Sequence, residues 1–296
     1  MRRFFVQSQD IVDGVAYIRG SDVRHIRDVL RLREGDSIAV LDGSGDEYRC
    51  RIMGFAGDAI GCRILEQVRR AGEPSIKITL VQGLPRGDKM DYIVQKGTEV
   101  GIWRFVPVIT ERTVVRLDSG EPGEAGRAGK VEKKIENGKI EKRVARWKRI
   151  AMEAAKQAGR AIVPAVERPQ GFAGAVEALS SNVGMSGLDM GGSGAGGPGV
   201  SRPGMGSLDA NAGTTWIAPW ELETTRPLKG VLRERPGARD FVVFIGPEGG
   251  FTASEMELLM IHGAVPVTLG PRIFRTETAG LVVAAAIFYE YGELGG

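Results

Sequence analysis

DFVVFIGPEGGFTASEMELLMIHGAVPVTLGPRIFRTETAG, residues 240 to 280, is the stretch that decides the architecture. DFVVFI is a continuous apolar run of strand length, and GPEGG (246–250) ends it with glycine and proline. Thr252 and Glu255 then stand at the spacing of a capping box, and Phe251 and Met256 at that of a hydrophobic staple. A helix therefore starts at ASEMELLMIH. AVPVTL (264–269) reads as a second strand, GPRIFRTETAG (270–280) as a second loop, and LVVAAAIFYEY (281–291) as a buried helix. Such a β-loop-α-β-loop-α unit predicts an α/β domain with a largely parallel sheet, because parallel neighbours need a crossover between them.

Working outward, IKITLVQG (76–83), FVPVIT (105–110) and TTWIAP (214–219) read as further strands. TTWIAP, DFVVFIGP and AVPVTLGP each close on a proline. DKMDYIVQKGTEVG (88–101) places Met90, Ile93, Val94 and Gly97 at helical spacing, with Asp88 as N-cap and Gly101 as stop. IEKRVARWKRIAMEAAKQAGR (140–160) puts Val144, Trp147, Ala151, Ala154 and Ala158 on one face and Lys or Arg on the other. Residues 1–72 differ. FFVQ, VAYI, SIAVLD, EYRCRIMGF and AIGCRILEQV are short strands, REGD and DGSGD are turns, and one helix lies around DVRHIRDVL. That pattern predicts a small β-barrel. RRAGEPS (69–75) separates it from a second domain over 76–296.

Composition excludes several classes. With 296 residues and 42% hydrophobic content the chain can fill two cores. It has no apolar run long enough for a membrane span, and its start lacks the pattern of a signal peptide. Cys50 and Cys62 both fall in strand-like segments, so a reduced, cytosolic protein is expected rather than a disulfide framework. Two His and two Cys, scattered, predict no metal site. No P-loop, H-E-x-x-H or G-x-S-x-G is present, and His25 and His262 leave little for a Ser-His-Asp triad. GSGAGG (192–197) matches G-x-G-x-x-G formally, but neither a strand before it nor an amphipathic helix after it is expected. It lies in a Gly, Ser and Met-rich stretch (184–213) that reads as a flexible insertion. Net charge is only +3, yet Lys and Arg crowd between Arg127 and Arg149. That run is either a solvated linker leading into a helix or a phosphate-contacting patch.

The chemistry concentrates in the two loops. In an open α/β sheet, ligands sit outside the carboxyl ends of the strands. GPEGG is either a plain strand-to-helix turn or a place where a ligand approaches the backbone closely. In the second loop Arg272, Arg275 and Glu277 crowd the start of a core helix. They form a pocket wall, or they make ion pairs with Glu248 and Glu277 that pin the loops; the two readings are compatible.

FIGPEGGFTASE together with LGPRIFRTETA resembles the RsmE family of ribosomal RNA uracil-N3-methyltransferases. So do DKMDYIVQKGTEVGIWRFVPVITERT (88–113) and KRIAMEAAKQAGRAIVP (148–164), and VLRLREGDSIAVLDGSGDEY is similar to that family's PUA-like barrel. The resemblance implies a SPOUT-type parallel sheet with a C-terminal trefoil knot, S-adenosylmethionine as cofactor, and a homodimer. It implies a uridine of 16S rRNA in the small ribosomal subunit as substrate. Cofactor-binding positions would be Ile217, Ala218 and Pro219; Ile245, Gly246, Pro247, Glu248, Gly249 and Gly250; and Leu269, Gly270, Pro271, Ile273, Phe274 and Arg275. Phe274 stands where the family commonly has leucine. Arg272 and Arg275 would stabilise charge developing on the uracil, and Glu277 would orient an arginine or take the N3 proton. Arg3 and Arg160 would touch RNA. Two rival readings stay open: a knotted methyltransferase acting on transfer RNA or another rRNA base, and a non-enzymatic RNA-binding protein.

Overall fold

The computed structural model describes residues 1–69, 73–113, 137–183 and 213–295. The boundary placed at residue 72, the first part of the basic run and nearly all of the Gly-rich stretch lie outside them.

Residues 1–69 form one sheet. Its strands are β1 (Arg2–Phe5), β2 (Ile11–Val12), β3 (Val15–Arg19), β4 (Ser37–Leu41), β5 (Glu47–Ala56) and β6 (Ala59–Val68), in the order β1-β4-β5-β6-β3-β2. β1 runs parallel to β4 and the other pairs are antiparallel. The short helix α1 (Ser21–Arg24) widens into a further turn over His25–Val29. Ala16 and Ile18, Cys50 and Ile52, and Ile60 and Cys62 alternate inward onto Phe4, Val23 and Ile26. Asp36 accepts from the Arg33 N–H (2.7 Å) and Asp42 from the Ser44 N–H (2.9 Å), so both turns form as their composition predicts. The expected barrel is an open path here: no ladder joins the end strands β1 and β2 among the described residues. Both cysteines are free; burial pushes the Cys50 thiol up to about 11 and the Cys62 thiol up to about 12.

The rest of the described chain is a parallel sheet covered on both faces. Its elements are β7 (Lys77–Gly83), α2 (Lys89–Val100), β8 (Arg104–Ile109), α3 (Asn137–Ala158), β9 (Ala165–Val166), β10 (Gln170–Gly171), α4 (Phe172–Val183), β11 (Thr214–Pro219), α5 (Leu228–Arg233), β12 (Asp240–Ile245), α6 (Ala253–Ile261), β13 (Val265–Val267) and α7 (Thr276–Glu290). The order is β10-β8-β7-β12-β11-β13, with β9 also on β8, and every pair is parallel. Along β12, Phe241, Val243 and Ile245 pack under α2, α3, α5 and α7, while Val242 and Phe244 pack under α4 and α6. A strand buried on both faces reads as the unbroken apolar run DFVVFI. β11 does end on Pro219, but β12 and β13 stop at Ile245 and Val267, so Pro247 and Pro271 belong to the loops that follow.

Helix boundaries follow the sequence closely. The capping box of Thr252 and Glu255 is complete, and Phe251 and Met256 are buried in one cluster. Asp88 holds the N-cap position of α2 without a side-chain cap bond, and Gly101 closes that helix. On α3, Val144, Trp147, Ala151 and Ala154 are buried, but Ala158 is exposed. There the last turn leaves the sheet and meets the N-terminal domain: Lys156 bridges Asp22 at 2.9 Å, and Arg3 lies against Gly159.

Arg160 requires a correction. It is 4% exposed rather than facing RNA. Its Nη1 donates to the carbonyls of Thr98 (3.1 Å) and Ile102 (2.7 Å), and its Nη2 to Glu73 (2.9 Å). The other oxygen of Glu73 accepts from the N–H groups of Ala161 and Ile162. Glu73 lies in the segment between the two domains, so this buried pair fastens that segment to the ends of α2 and α3. Arg160→Ala leaves a buried carboxylate without its partner, and should lower stability by about 3–5 kcal/mol in urea unfolding.

Candidate active site

At the carboxyl ends of β11, β12 and β13 lies a cleft of about 860 Å³. One wall is GPEGG. A Cβ on Gly246 would sit 2.9 Å from the Gly250 carbonyl carbon, and one on Gly250 (φ 67°) would sit 2.9 Å from Glu221 Oε1. Gly246 has no room for a side chain against the loop's own backbone, and Gly250 holds a positive φ that disfavours one, so the main chain forms the surface at these positions. The loop is tied from outside. Glu248 Oε1 accepts from the Arg86 N–H (3.1 Å) and Lys89 Nζ (2.8 Å), and Arg112 Nη1 donates to the Gly249 carbonyl (2.7 Å).

The opposite wall is the Leu269–Arg275 segment. The Thr276 hydroxyl, 7% exposed, donates to the Gly246 carbonyl at 2.6 Å and accepts from Gln82 Nε2 at 2.9 Å. One buried side chain thus joins the end of β7, the glycine loop and the start of α7. Arg275 is the N-cap residue of α7, its carbonyl accepting from Thr278 and Ala279. Its guanidinium and that of Arg272 are exposed, and neither makes a side-chain hydrogen bond or ion pair among the described residues. Both point charges are left for a partner from solution.

Lys89 supplies the electrostatic link. Its Nζ lies 2.8 Å from Glu248 and 3.3 Å from Glu277, joining the two walls. The Glu248 hydrogen bond does most to raise the Lys89 pKa. Burial pushes the Glu248 carboxyl up, but hydrogen bonds from Lys89 and from backbone N–H groups outweigh it and hold the group below its ordinary value. Glu277 Oε2 is buried and accepts no hydrogen bond; Lys89 is near but poorly aligned.

Most predicted residues meet at this cleft. Pro219, Ile245, Gly246, Pro247, Glu248, Gly249, Gly250, Leu269, Gly270, Pro271, Arg272, Ile273, Phe274, Arg275 and Glu277 all line it. Phe274 is half-buried and also packs on the core. Ile217 and Ala218, expected to serve through their backbone groups, are not on the lining, and alternation along β11 sends their side chains into the two cores. The ion pair expected from the arginines is made by Lys89 instead, and Glu277 faces that lysine rather than an arginine. Arg3 stands apart, its Nε on Glu47 at 2.8 Å. Sequence reasoning missed Lys89, Trp220, Glu221, Glu223 and Thr224, all on the lining. The rule that ligands sit beyond strand ends would have found Trp220, Glu221, Glu223 and Thr224, which follow β11 as closely as GPEGG follows β12, but not Lys89, which begins α2 and is marked only by its ion pairs.

A glycine-walled cleft at the ends of parallel strands, in a chain that also carries a small β-domain, defines a two-domain α/β protein with a pocket at the place where such sheets bind ligands. The sequence matches the RNA methyltransferase domain family over residues 72–133, 127–189 and 209–288, and the RNA methyltransferase PUA domain family over residues 18–54. It is 30% identical to the ribosomal RNA small subunit methyltransferase E of Bacillus subtilis, over 98% of this chain and 97% of that one. The crystal structure of the Neisseria gonorrhoeae ribosomal RNA small subunit methyltransferase E bound to S-adenosyl methionine superposes with a TM-score of 0.71, at 27% identity and 98% coverage of both chains. The chain belongs to the ribosomal RNA small subunit methyltransferase E family of RNA methyltransferases.

Two consequences are measurable. Thr276→Val keeps the shape but strands the Gly246 carbonyl, and should cost about 1–3 kcal/mol in urea unfolding. Lys89→Met removes the bridge between the walls. Because the folded Glu248 pKa is depressed, the bridge's contribution is complete above the ordinary carboxylate value of about 4.3 and fades as pH falls through the lower folded value. The stability gap between wild type and Lys89→Met should therefore be flat from about pH 5 to 8 and close below about pH 4.

Proposed function

We propose that the chain methylates N3 of a uridine in 16S rRNA of the small ribosomal subunit, with S-adenosylmethionine as methyl donor. The observation that carries this reading is the juxtaposition, in a member of this family, of a glycine-rich wall and two arginines unpaired among the described residues, across one cleft. The residues present fit the donor. Pro219, Ile245, Leu269 and Phe274 offer apolar faces to a flat base, and the glycine loop exposes main-chain groups at contact distance. Four carboxylates, Glu221, Glu223, Glu248 and Glu277, line the cleft with three cations, Lys89, Arg272 and Arg275, so acidic groups stand beside the wall for a positively charged ligand. When bound, the donor supplies a methyl group activated by a sulfonium.

The chain's own residues do the rest. Uracil N3 carries a proton between two carbonyls and lies on the pairing edge, so the base must be unpaired or flipped out to reach the cleft. Losing that proton places negative charge on O2 and O4. Arg272 and Arg275, always protonated, stabilise that charge or hold the adjoining phosphate. Glu277 lines the same cleft with Oε2 ion-paired to Lys89 at 3.3 Å, and its role is to orient an arginine or, secondarily, to take the N3 proton.

A SPOUT-type knot at the C-terminal end belongs to the same reading. β13 lies beyond β11 at the sheet edge, yet α7 packs back against α2 and β12. The bond from Thr276 to Gly246 holds that return against the loop after β12. The apolar side chains left at the cleft rim, Ile273 (93% exposed) and Leu222 (69%), suit a second copy of the chain in a homodimer. The N-terminal sheet, read as a PUA-like barrel, would present RNA, with Arg3 at its junction. Assembly on ribosomal subunits would take place in the cytoplasm.

Labelled S-adenosylmethionine offered with intact small subunits, naked 16S rRNA or transfer RNA tests the reading. N3-methyluridine confined to the subunit rRNA is the expected product. Label on transfer RNA or on another base overturns the substrate. Arg275→Ala should lower methyl transfer by about 10²–10³-fold, with cofactor affinity by calorimetry little changed. An equal loss of both would move Arg275 to the cofactor side.

A further inference from the structure

We infer that the outer face of α3 is a phosphate track that leads the RNA strand from the N-terminal domain to the cleft; this rests on the reading above. Between Lys142 and Arg149 the helix reads KRVARWKR, five cations in eight residues and no carboxylate. Lys142, Arg146 and Arg149 recur at i, i+4 and i+7, opposite the buried Ile140, Val144, Trp147 and Ala151. They share one solvent-facing stripe, with Arg143 beside it. Helices that merely need to be soluble alternate sign at i, i+4, whereas like charges at that spacing repel. Here Lys142 and Arg146 stand i, i+4 with nothing acidic between them, a repulsion that a polyanion relieves.

Few neighbours neutralise the stripe. Glu141 pairs outward with Arg168, and Glu153 lies 3.9 Å from Arg149, a spacing of little energy at 68% exposure on both sides. Lys142 and Arg143 make no hydrogen bond or ion pair among the described residues. Arg146 and the Trp147 indole both reach Asp91, two residues after the cleft residue Lys89. At its other end the helix meets the N-terminal domain through Lys156 and Asp22. The stripe therefore spans the gap between that domain and the arginine-bearing cleft, and its charge is opposite to that of a nucleic-acid backbone. Its role is positioning, since none of these side chains reaches the cleft.

The test compares wild type with K142Q/R143Q/R149Q, which spares Arg146 and its bond to Asp91. Binding of 16S rRNA and of small subunits is measured across a salt series, alongside cofactor affinity, melting temperature and methyl-transfer kinetics. Removing three cations that each neutralise a phosphate should flatten the slope of log K against log salt by about 2. KM for subunits should rise about 10-fold or more, with kcat within about twofold and cofactor affinity unchanged. An unchanged slope and KM would overturn the track while leaving the proposed function standing; so would a loss confined to an acidic protein of the subunit with naked rRNA bound as before. Wild type that binds no RNA at any salt would overturn both.

Discussion

Everything at the cleft depends on one hydroxyl. Thr276 begins α7, and its side chain, buried between Gln82 and the Gly246 carbonyl, holds three segments distant in sequence at one point. Replacing that bond with water is not possible at 7% exposure, so the loop after β12 and the helix after β13 stand or fall together. Capping of α6 reinforces the arrangement from the other side. Glu255 accepts from the Thr252 N–H through one oxygen and from the Glu111 N–H through the other, so the helix that follows the glycine loop is tied to the loop after β8. Within GPEGG the side chain of Glu248 ties the loop, to the Arg86 N–H and Lys89, and the glycines themselves are held by contacts from outside.

The charges divide by task. Lys89 is consumed by structure, spanning Glu248 and Glu277. Arg160 is likewise consumed, saturated by Glu73 and two carbonyls. Among the described residues Arg272 and Arg275 are left without side-chain partners, and so are Lys142 and Arg143 on α3. Arg160, sealed from water, needs its carboxylate, whereas Lys89 stays a third exposed and is held by geometry between two carboxylates, and a cation kept in water can wait for a substrate.

What was legible in the sequence was local. DFVVFI as a doubly buried strand, the Thr252–Glu255 cap and the apolar face of α2 each depend on residues a few positions apart, and each formed as read. The pocket-wall reading of the two loops followed from one topological rule. What escaped depends on contacts across the chain. Lys89 lies 159 residues from Glu248, and nothing around DKMDYIV marks it as a partner of the glycine loop. Arg160 looks like one more surface arginine until Glu73 is placed 87 residues away. Ala158 keeps the helical period but sits where α3 has run past its sheet, and Ile217 and Ala218 keep to a loop's neighbourhood while strand alternation turns them inward.

A wall made of main chain offers mutation few handles. At Gly246 an added side chain collides with the loop's own backbone, and at Gly250 it strains a backbone held at φ 67°, so the surface resists change at both positions. Drift in the apolar lining, such as a phenylalanine at 274, changes the fit around a ligand without touching the groups that grip it. A competitive inhibitor that took its affinity from those main-chain groups would leave few single substitutions able to exclude it, because each would first dismantle the cleft.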